Sequence, residues 1–144
     1  MALRIELKPG ERILIGECVI TNSDQRAKFL IEGRATILRE KDIITASEAD
    51  TPAKRVYLAV QLMYTAADPS KHHELYFALL GDFMQAAPSA APIFESINNH
   101  ILSGDLYKAL KSSRKLIAFE EELLSDEKRR ANVRKRGKAD LQPA

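Results

Sequence analysis

At 144 residues, with 45% hydrophobic and 29% charged side chains, the chain has the composition of a single soluble domain able to bury a sizeable core. No apolar run approaches the ~20 residues needed to span a bilayer, charges at Arg4, Glu6 and Lys8 interrupt any secretory pattern, and the lone Cys18 excludes an internal disulfide and suits a reducing cytoplasm. The net charge of +2 hides an asymmetry: residues 128–144 carry seven basic residues against Asp140 alone, whereas residues 1–127 carry fifteen basic against nineteen acidic.

Residues 3–44 read as short strands. Leu3, Ile5 and Leu7 alternate with Arg4, Glu6 and Lys8, the period-2 pattern of a half-buried strand. Pro9-Gly10 makes a turn, 12–15 resumes a strand, Gly16-Glu17 breaks it, and 18–21 follows, with Cys18 expected to pack as a small strand residue. After the turn at Asn22-Ser23-Asp24, Ala27, Phe29 and Ile31 form the inward set against Arg26, Lys28 and Leu30. Glu32-Gly33 then closes a further hairpin into 35–38.

Beyond Ile44 the period becomes helical. Thr45-Ala46-Ser47-Glu48 has capping-box form. Thr51 is placed to cap a helix over about 52–66, Pro52 fits its first position, and Val56, Ala59, Val60, Met63 and Ala67 form its apolar face. Asp68-Pro69 opens a second helix with Leu75, Tyr76, Leu79, Leu80, Phe83 and Met84 on its apolar side. Ser89 caps a third that ends at Ser103-Gly104, and Asp105 starts a fourth. In the fourth, Leu110, Ile117 and Leu124 recur every seven residues beside Leu116 and Leu123. That seam packs on the second helix or, failing that, on a second copy or a partner helix. Glu120, Glu121 and Glu122 read as a solvated face. Strands followed by helices argue for an α+β fold: a small antiparallel sheet or open barrel over 1–46, a bundle of about four helices over 47–127, and a flexible, disordered basic tail over 128–144.

No catalytic constellation emerges. His72 and His73 are adjacent and point apart, so they cannot clamp a zinc ion as an i, i+4 pair would. His100 has no neighbouring ligand. The glycines are scattered rather than gathered in a phosphate loop, and no serine sits in a nucleophile elbow. The chain is therefore expected not to be an enzyme, and to need no metal or cofactor.

Two other signals stand out. Basic residues on the outward side of the strands (Arg4, Lys8, Arg26 and Lys28) and near turns (Arg12 and Arg34) are placed to meet an RNA backbone. The tail residues Lys128, Arg129, Arg130, Arg134, Lys135, Arg136 and Lys138 can attract phosphates without sequence preference. Aromatic stacking platforms are scarce, since the first 50 residues offer only the inward Phe29. The helical seam supports a competing reading, a protein-binding adaptor.

The stretch Asp50-Thr51-Pro52-Ala53-Lys54-Arg55, running on through Gln61 and Tyr64, resembles the signature of the FlbT family of flagellar biosynthesis repressors. The segments 3–12 (Leu-Arg-Ile-Glu-Leu-Lys-Pro-Gly-Glu-Arg) and 37–44 (Ile-Leu-Arg-Glu-Lys-Asp-Ile-Ile) are similar to that family too, so the resemblance spans Leu3 to about Leu124. It implies a cytoplasmic, post-transcriptional regulator that binds the 5′ untranslated leader of flagellin messenger RNA, represses translation and promotes decay of the message by host ribonucleases. The partners expected beside the leader are a companion flagellar regulator or flagellin, with homo-oligomers possible and neither DNA nor a membrane expected. Some relatives act as activators, so the resemblance leaves the sign of regulation open. The alternative is an adaptor or chaperone of flagellin, or of a flagellar regulator, acting through the helical half. Within the signature, Val56, Val60 and Met63 are expected in the core, leaving Asp50, Lys54 and Arg55 with polar groups for a partner.

Overall fold

A computed structural model describes the backbone of residues 2–140 and the side chains of residues 2–133. The strands are β1 (Ala2–Leu7), β2 (Arg12–Ile15), β3 (Cys18–Thr21), β4 (Ala27–Glu32) and β5 (Ile37–Arg39). The helices are α1 (Pro52–Thr65), α2 (His73–Ala86), α3 (Ala91–Leu102) and α4 (Leu106–Asp140). The class is α+β, as the chain order of the elements predicts. Every strand pair is antiparallel and neither sheet closes: β1 pairs with β4 as a ribbon, and β3, β2 and β5 form a three-stranded sheet with β2 central.

This topology corrects one expectation. The turn at Glu32-Gly33 does not fold β4 back on β5. Instead β4 returns to β1, with Ile5 opposite Phe29, and β5 lies against β2, with Leu14 opposite Leu38. Burial decides the pairing. Adjacent β2 residues point to opposite faces, so Ile13 joins Ile5 and Leu7 in a small core lined by Phe29, Ile31 and Ile37. Leu14 and Leu38 instead enter the large core of the helices. The β2–β5 pair is thus a middle layer, with the β1–β4 ribbon on one face and helices on the other. Strand β3 is left as an edge with all four residues exposed, so Cys18 is exposed rather than packed.

Helix α1 is the hub of the helical half. Thr51 accepts a hydrogen bond from the Lys54 N–H at 3.2 Å and Pro52 occupies the first helical position, which satisfies a helix start as its residue types predict. Val56, Ala59, Val60 and Met63 are fully buried, whereas Ala67 lies beyond the helix end and is exposed. Asp68 caps a short 3-10 turn before α2. On α2, Tyr76 and Phe83 enter the core and Leu75 stays half-exposed. Ser89 makes no cap: it lies within a 3-10 turn (Pro88–Ala90), and α3 starts without a side-chain cap. Gly104, at φ +79°, ends α3 in a conformation that costs glycine least. Only half of the Thr45–Glu48 box forms: the Glu48 N–H donates to the Thr45 hydroxyl, which itself donates to the Glu48 carboxylate, and the pair closes a turn, not a helix.

Helix α4 packs on α1 and α3 rather than on α2. Leu110 and Leu116 are buried, Ile117 and Leu123 half-buried, and Leu124 exposed. The backbone of α4 continues through Asp140 where a flexible tail is expected from residue 128. No proline interrupts this stretch, Lys, Arg and Ala are good helix formers, and an Asp126–Arg129 pair at 3.8 Å bridges the change of charge. From Glu121 to Val133 nearly every side chain is exposed.

Polar contacts fasten the sheet to the helices. Along one edge of α1, Tyr57, Gln61 and Tyr64 all reach the backbone of 37–44. The Gln61 amide donates to the Ile44 carbonyl at 3.0 Å and accepts from the Ile44 N–H at 2.8 Å. Tyr57 donates to the Asp42 carbonyl, and Tyr64 to the Ile37 carbonyl at 3.1 Å. Across the bundle, Glu120 is 9% exposed and its carboxylate accepts the Ala53 N–H at 2.9 Å. Glu120 therefore leaves the solvated face predicted for it and serves the α1 N-terminus, where an anion is favoured by the helix dipole.

Gln61→Leu, which keeps the volume but leaves both Ile44 groups unpaired, is expected to lower stability by about 2–4 kcal/mol in urea unfolding. Glu120→Ala should lose about 1–2 kcal/mol and Glu120→Gln less. Burial raises the phenols of Tyr64 and Tyr76 and, with a smaller contribution from Tyr107, pushes Tyr57 up to about 12. Tyr57 is raised above its unfolded value, so the stability it contributes is complete below about pH 10 and drains away as pH climbs through about 12, and Tyr64 and Tyr76 act in the same direction. Urea midpoints measured across that window should fall steadily, and less steeply in Tyr57→Phe.

Candidate nucleic-acid interface

The outer face of the β1–β4 ribbon carries the charges that alternation assigns to it. Register places Glu6 opposite Lys28 and Arg4 opposite Leu30. Beside this face, the ribbon and the 39–41 segment bound an open groove of about 910 Å3 lined by Arg4, Lys8, Arg26, Arg39 and Lys41 with Glu6, Glu11 and Glu40.

The carboxylates here are engaged. Glu6 holds Arg26 at 3.1 Å, Glu40 holds Arg12 at 3.3 Å, and Glu11 accepts the Lys8 N–H at 2.8 Å. Arg39 donates to the Glu6 carbonyl at 3.1 Å. Arg4, Lys8, Lys28 and Lys41 form no ion pair among the described residues. Asn22 sets the lip of the groove: its side-chain amide donates to the Leu7, Lys8 and Gln25 carbonyls at 3.2, 2.9 and 2.8 Å.

Of the residues singled out in the sequence, Arg4, Lys8 and Arg26 converge on this groove. Lys28 lies next to Arg4 in an adjoining depression with Leu30, and Arg12 reaches the wall through Glu40. Arg34 does not join them: it sits exposed in the β4–β5 turn. Asp50 and Lys54 pair with each other at 3.3 Å at the start of α1, and Arg55 is exposed beside them. Lys128, Arg129 and Arg130 are exposed on the projecting part of α4, whereas the side chains of Arg134, Lys135, Arg136 and Lys138 lie outside the described residues.

Sequence reasoning passes over Arg39 and Lys41, which β5 and the turn after it bring to the groove, and a second cluster nearby. On α4, Tyr107, Lys111 and Arg114 border a small hollow of about 180 Å3 that shares Lys41 with the groove. Their spacing of four and three residues puts them on one helix face, a signal present in the sequence but overshadowed by the charge on the strands. Among the described residues, no group of three or more His, Cys, Asp or Glu side chains is arranged to hold a metal, and no helix is long and apolar enough to cross a membrane.

Comparison with known proteins places the chain in a family. The model of the flagellar protein FlbT matches residues 3–124. The chain belongs to the FlbT family. It is 61% identical over 124 residues to a probable flagellum biosynthesis repressor protein FlbT 1 of Bradyrhizobium diazoefficiens, covering 85% of each chain. To a probable flagellum biosynthesis repressor protein FlbT of Rhodopseudomonas palustris it is 57% identical over 125 residues, 87% of this chain and 99% of that one. The flagellum biosynthesis repressor protein FlbT of Caulobacter vibrioides shares 35% over 127 residues, 86% of this chain and 90% of that one. No solved structure matches. The FlbT match covers both sheets and all the packed parts of the helices, and it stops where α4 leaves the body.

Exposed charges and surface ion pairs contribute little to folding. Arg4→Ala, Lys8→Ala, Lys28→Ala and Lys41→Ala should therefore each shift stability by less than about 0.5 kcal/mol. Thermal melts of the four variants check this and qualify them for binding studies.

Proposed function

We propose that this chain is a cytoplasmic, non-catalytic repressor of flagellum biosynthesis that acts after transcription, by docking the groove beside the β1–β4 ribbon on the 5′ leader of flagellin messenger RNA. The observation that carries the reading is the convergence of Arg4, Lys8, Arg26, Arg39 and Lys41 on one open groove whose carboxylates are already engaged by the protein. A cationic channel of this kind tracks a single-stranded backbone, and arginine adds hydrogen bonding or stacking to unpaired bases. FlbT family membership and the repressor names of the relatives support the biological setting. Occupancy of the leader blocks ribosome loading and presents the message to the cell's own ribonucleases. The basic end of α4 adds attraction without sequence preference.

Gel-shift titration of flagellin leader RNA tests this. The combined Arg4→Ala/Lys8→Ala/Lys41→Ala variant should bind more weakly, with a salt slope lower by roughly 0.7 for each phosphate of the single strand that is no longer neutralised. Truncation after Glu127 should reduce affinity for leader and unrelated RNA alike. Equal binding by wild type and the triple variant would refute the groove assignment.

A second reading has its own observation. Pro52, Phe83, Ala86, Leu123 and Leu124 line an apolar groove rimmed by Asp82 and Glu127, suited to a basic amphipathic segment of flagellin or of a companion regulator. Co-purification with and without ribonuclease separates the two readings: a protein complex that survives treatment, from a chain that binds no purified RNA, favours the adaptor.

A further inference from the structure

The hollow beside Tyr107 has the attributes of a base-binding site. Tyr107 is 41% exposed, although most aromatic rings of this chain are more deeply buried. Its ring is braced by Tyr64 at a centroid distance of 5.8 Å, and Tyr64 is itself tied to the Ile37 carbonyl. The platform is therefore held by the same contacts that join sheet and helices. The hollow is lined by the cations Lys41, Lys111 and Arg114 together with the Asp42 carboxylate. The Arg114 guanidinium pairs with Asp42 and reaches the Lys41 carbonyl at 3.5 Å, so its position is set. Lys111 rests its ammonium 4.7 Å from the centre of the Tyr107 ring.

Size narrows the ligand. About 180 Å3 is well below the roughly 300–1,000 Å3 of a pocket for a drug-sized molecule, so the hollow takes one planar ring system. Lys41 belongs to both the hollow and the larger groove, which makes the two neighbours on the surface and leaves Tyr107 within reach of a base from a strand that follows the groove. An exposed cation–π contact is weaker than base–aromatic stacking. The flexible Lys111 side chain gives way to a base and is then free to meet the adjoining phosphate.

We propose that Tyr107 is a stacking platform for a single unpaired nucleobase of a bound RNA strand, flanked by Lys41 and Lys111 as phosphate contacts, with Arg114 held against Asp42 as part of the wall. This rests on the RNA-binding reading and supplies the aromatic component that the sheet lacks.

The test uses the full chain and flagellin leader RNA substituted with 5-iodouridine. Ultraviolet irradiation should crosslink the RNA to the peptide that contains Tyr107. In filter binding, Tyr107→Ala should weaken affinity by roughly 5- to 100-fold with an unchanged salt slope, Tyr107→Phe should stay within about 2-fold, and Lys111→Ala should lower the slope by roughly 0.7. Melting curves confirm that the variants fold. If wild type binds and crosslinks elsewhere, and Tyr107→Ala binds as tightly as wild type, the platform is wrong while RNA binding stands. If the folded wild-type chain binds no leader RNA at all, both are overturned.

Discussion

Two hydrogen bonds between Gln61 and the backbone of Ile44 hold the two halves of this protein in register. Gln61 is almost fully buried, so water cannot replace it. A buried amide or carbonyl left without a partner costs about 1–3 kcal/mol, and this one side chain satisfies one of each. Apolar contact of Leu14 and Leu38 with the helical core supplies most of the attraction but little direction. The clasp of Tyr57, Gln61 and Tyr64 supplies the direction, because each reaches a defined backbone atom of 37–44.

The candidate site follows from that clasp. The same eight residues present Arg39 and Lys41 to the groove, and Asp42 pairs with Arg114 from α4. A polar seam that joins sheet to helices therefore also aligns strand-borne cations with Tyr107 and Lys111. Glu120 performs the complementary task at the other end of α1 by fixing its first turn to α4. Stability and site geometry share these residues, which is why the most distinctive stretch of the family signature is largely internal wiring.

Charge is divided between two kinds of work. In the groove, carboxylates orient arginines, and cations without ion pairs remain for a ligand. On the projecting part of α4 the basic residues are spread along an exposed helix. With a Debye length of about 8 Å at physiological salt, that end acts on an approaching polyanion only at short range. In the proposed RNA-binding reading, the groove rather than this end of the chain is the part that would discriminate one strand conformation from another.

Much of the fold is legible from pattern alone. Alternation in Leu3–Lys8 places Ile5 and Leu7 inside and Arg4 outside, and Thr51-Pro52 marks the start of α1 to the residue, because strand and helix periods and capping chemistry are local properties. Other features depend on what local pattern does not contain. The β4–β5 hairpin fails because either partner satisfies the same alternation. Glu120 reads as solvated because its partner, the Ala53 N–H, is distant in sequence. Arg39, Lys41 and Tyr107 do not stand out as a site because they come from different elements. What the sequence determined by itself is the order and amphipathicity of the elements, the caps at Thr51, Asp68 and Asp105, and the family. The tertiary structure decided which strands pair, which polar residues become clasps and which cations share a groove, since each depends on chain segments meeting across the core.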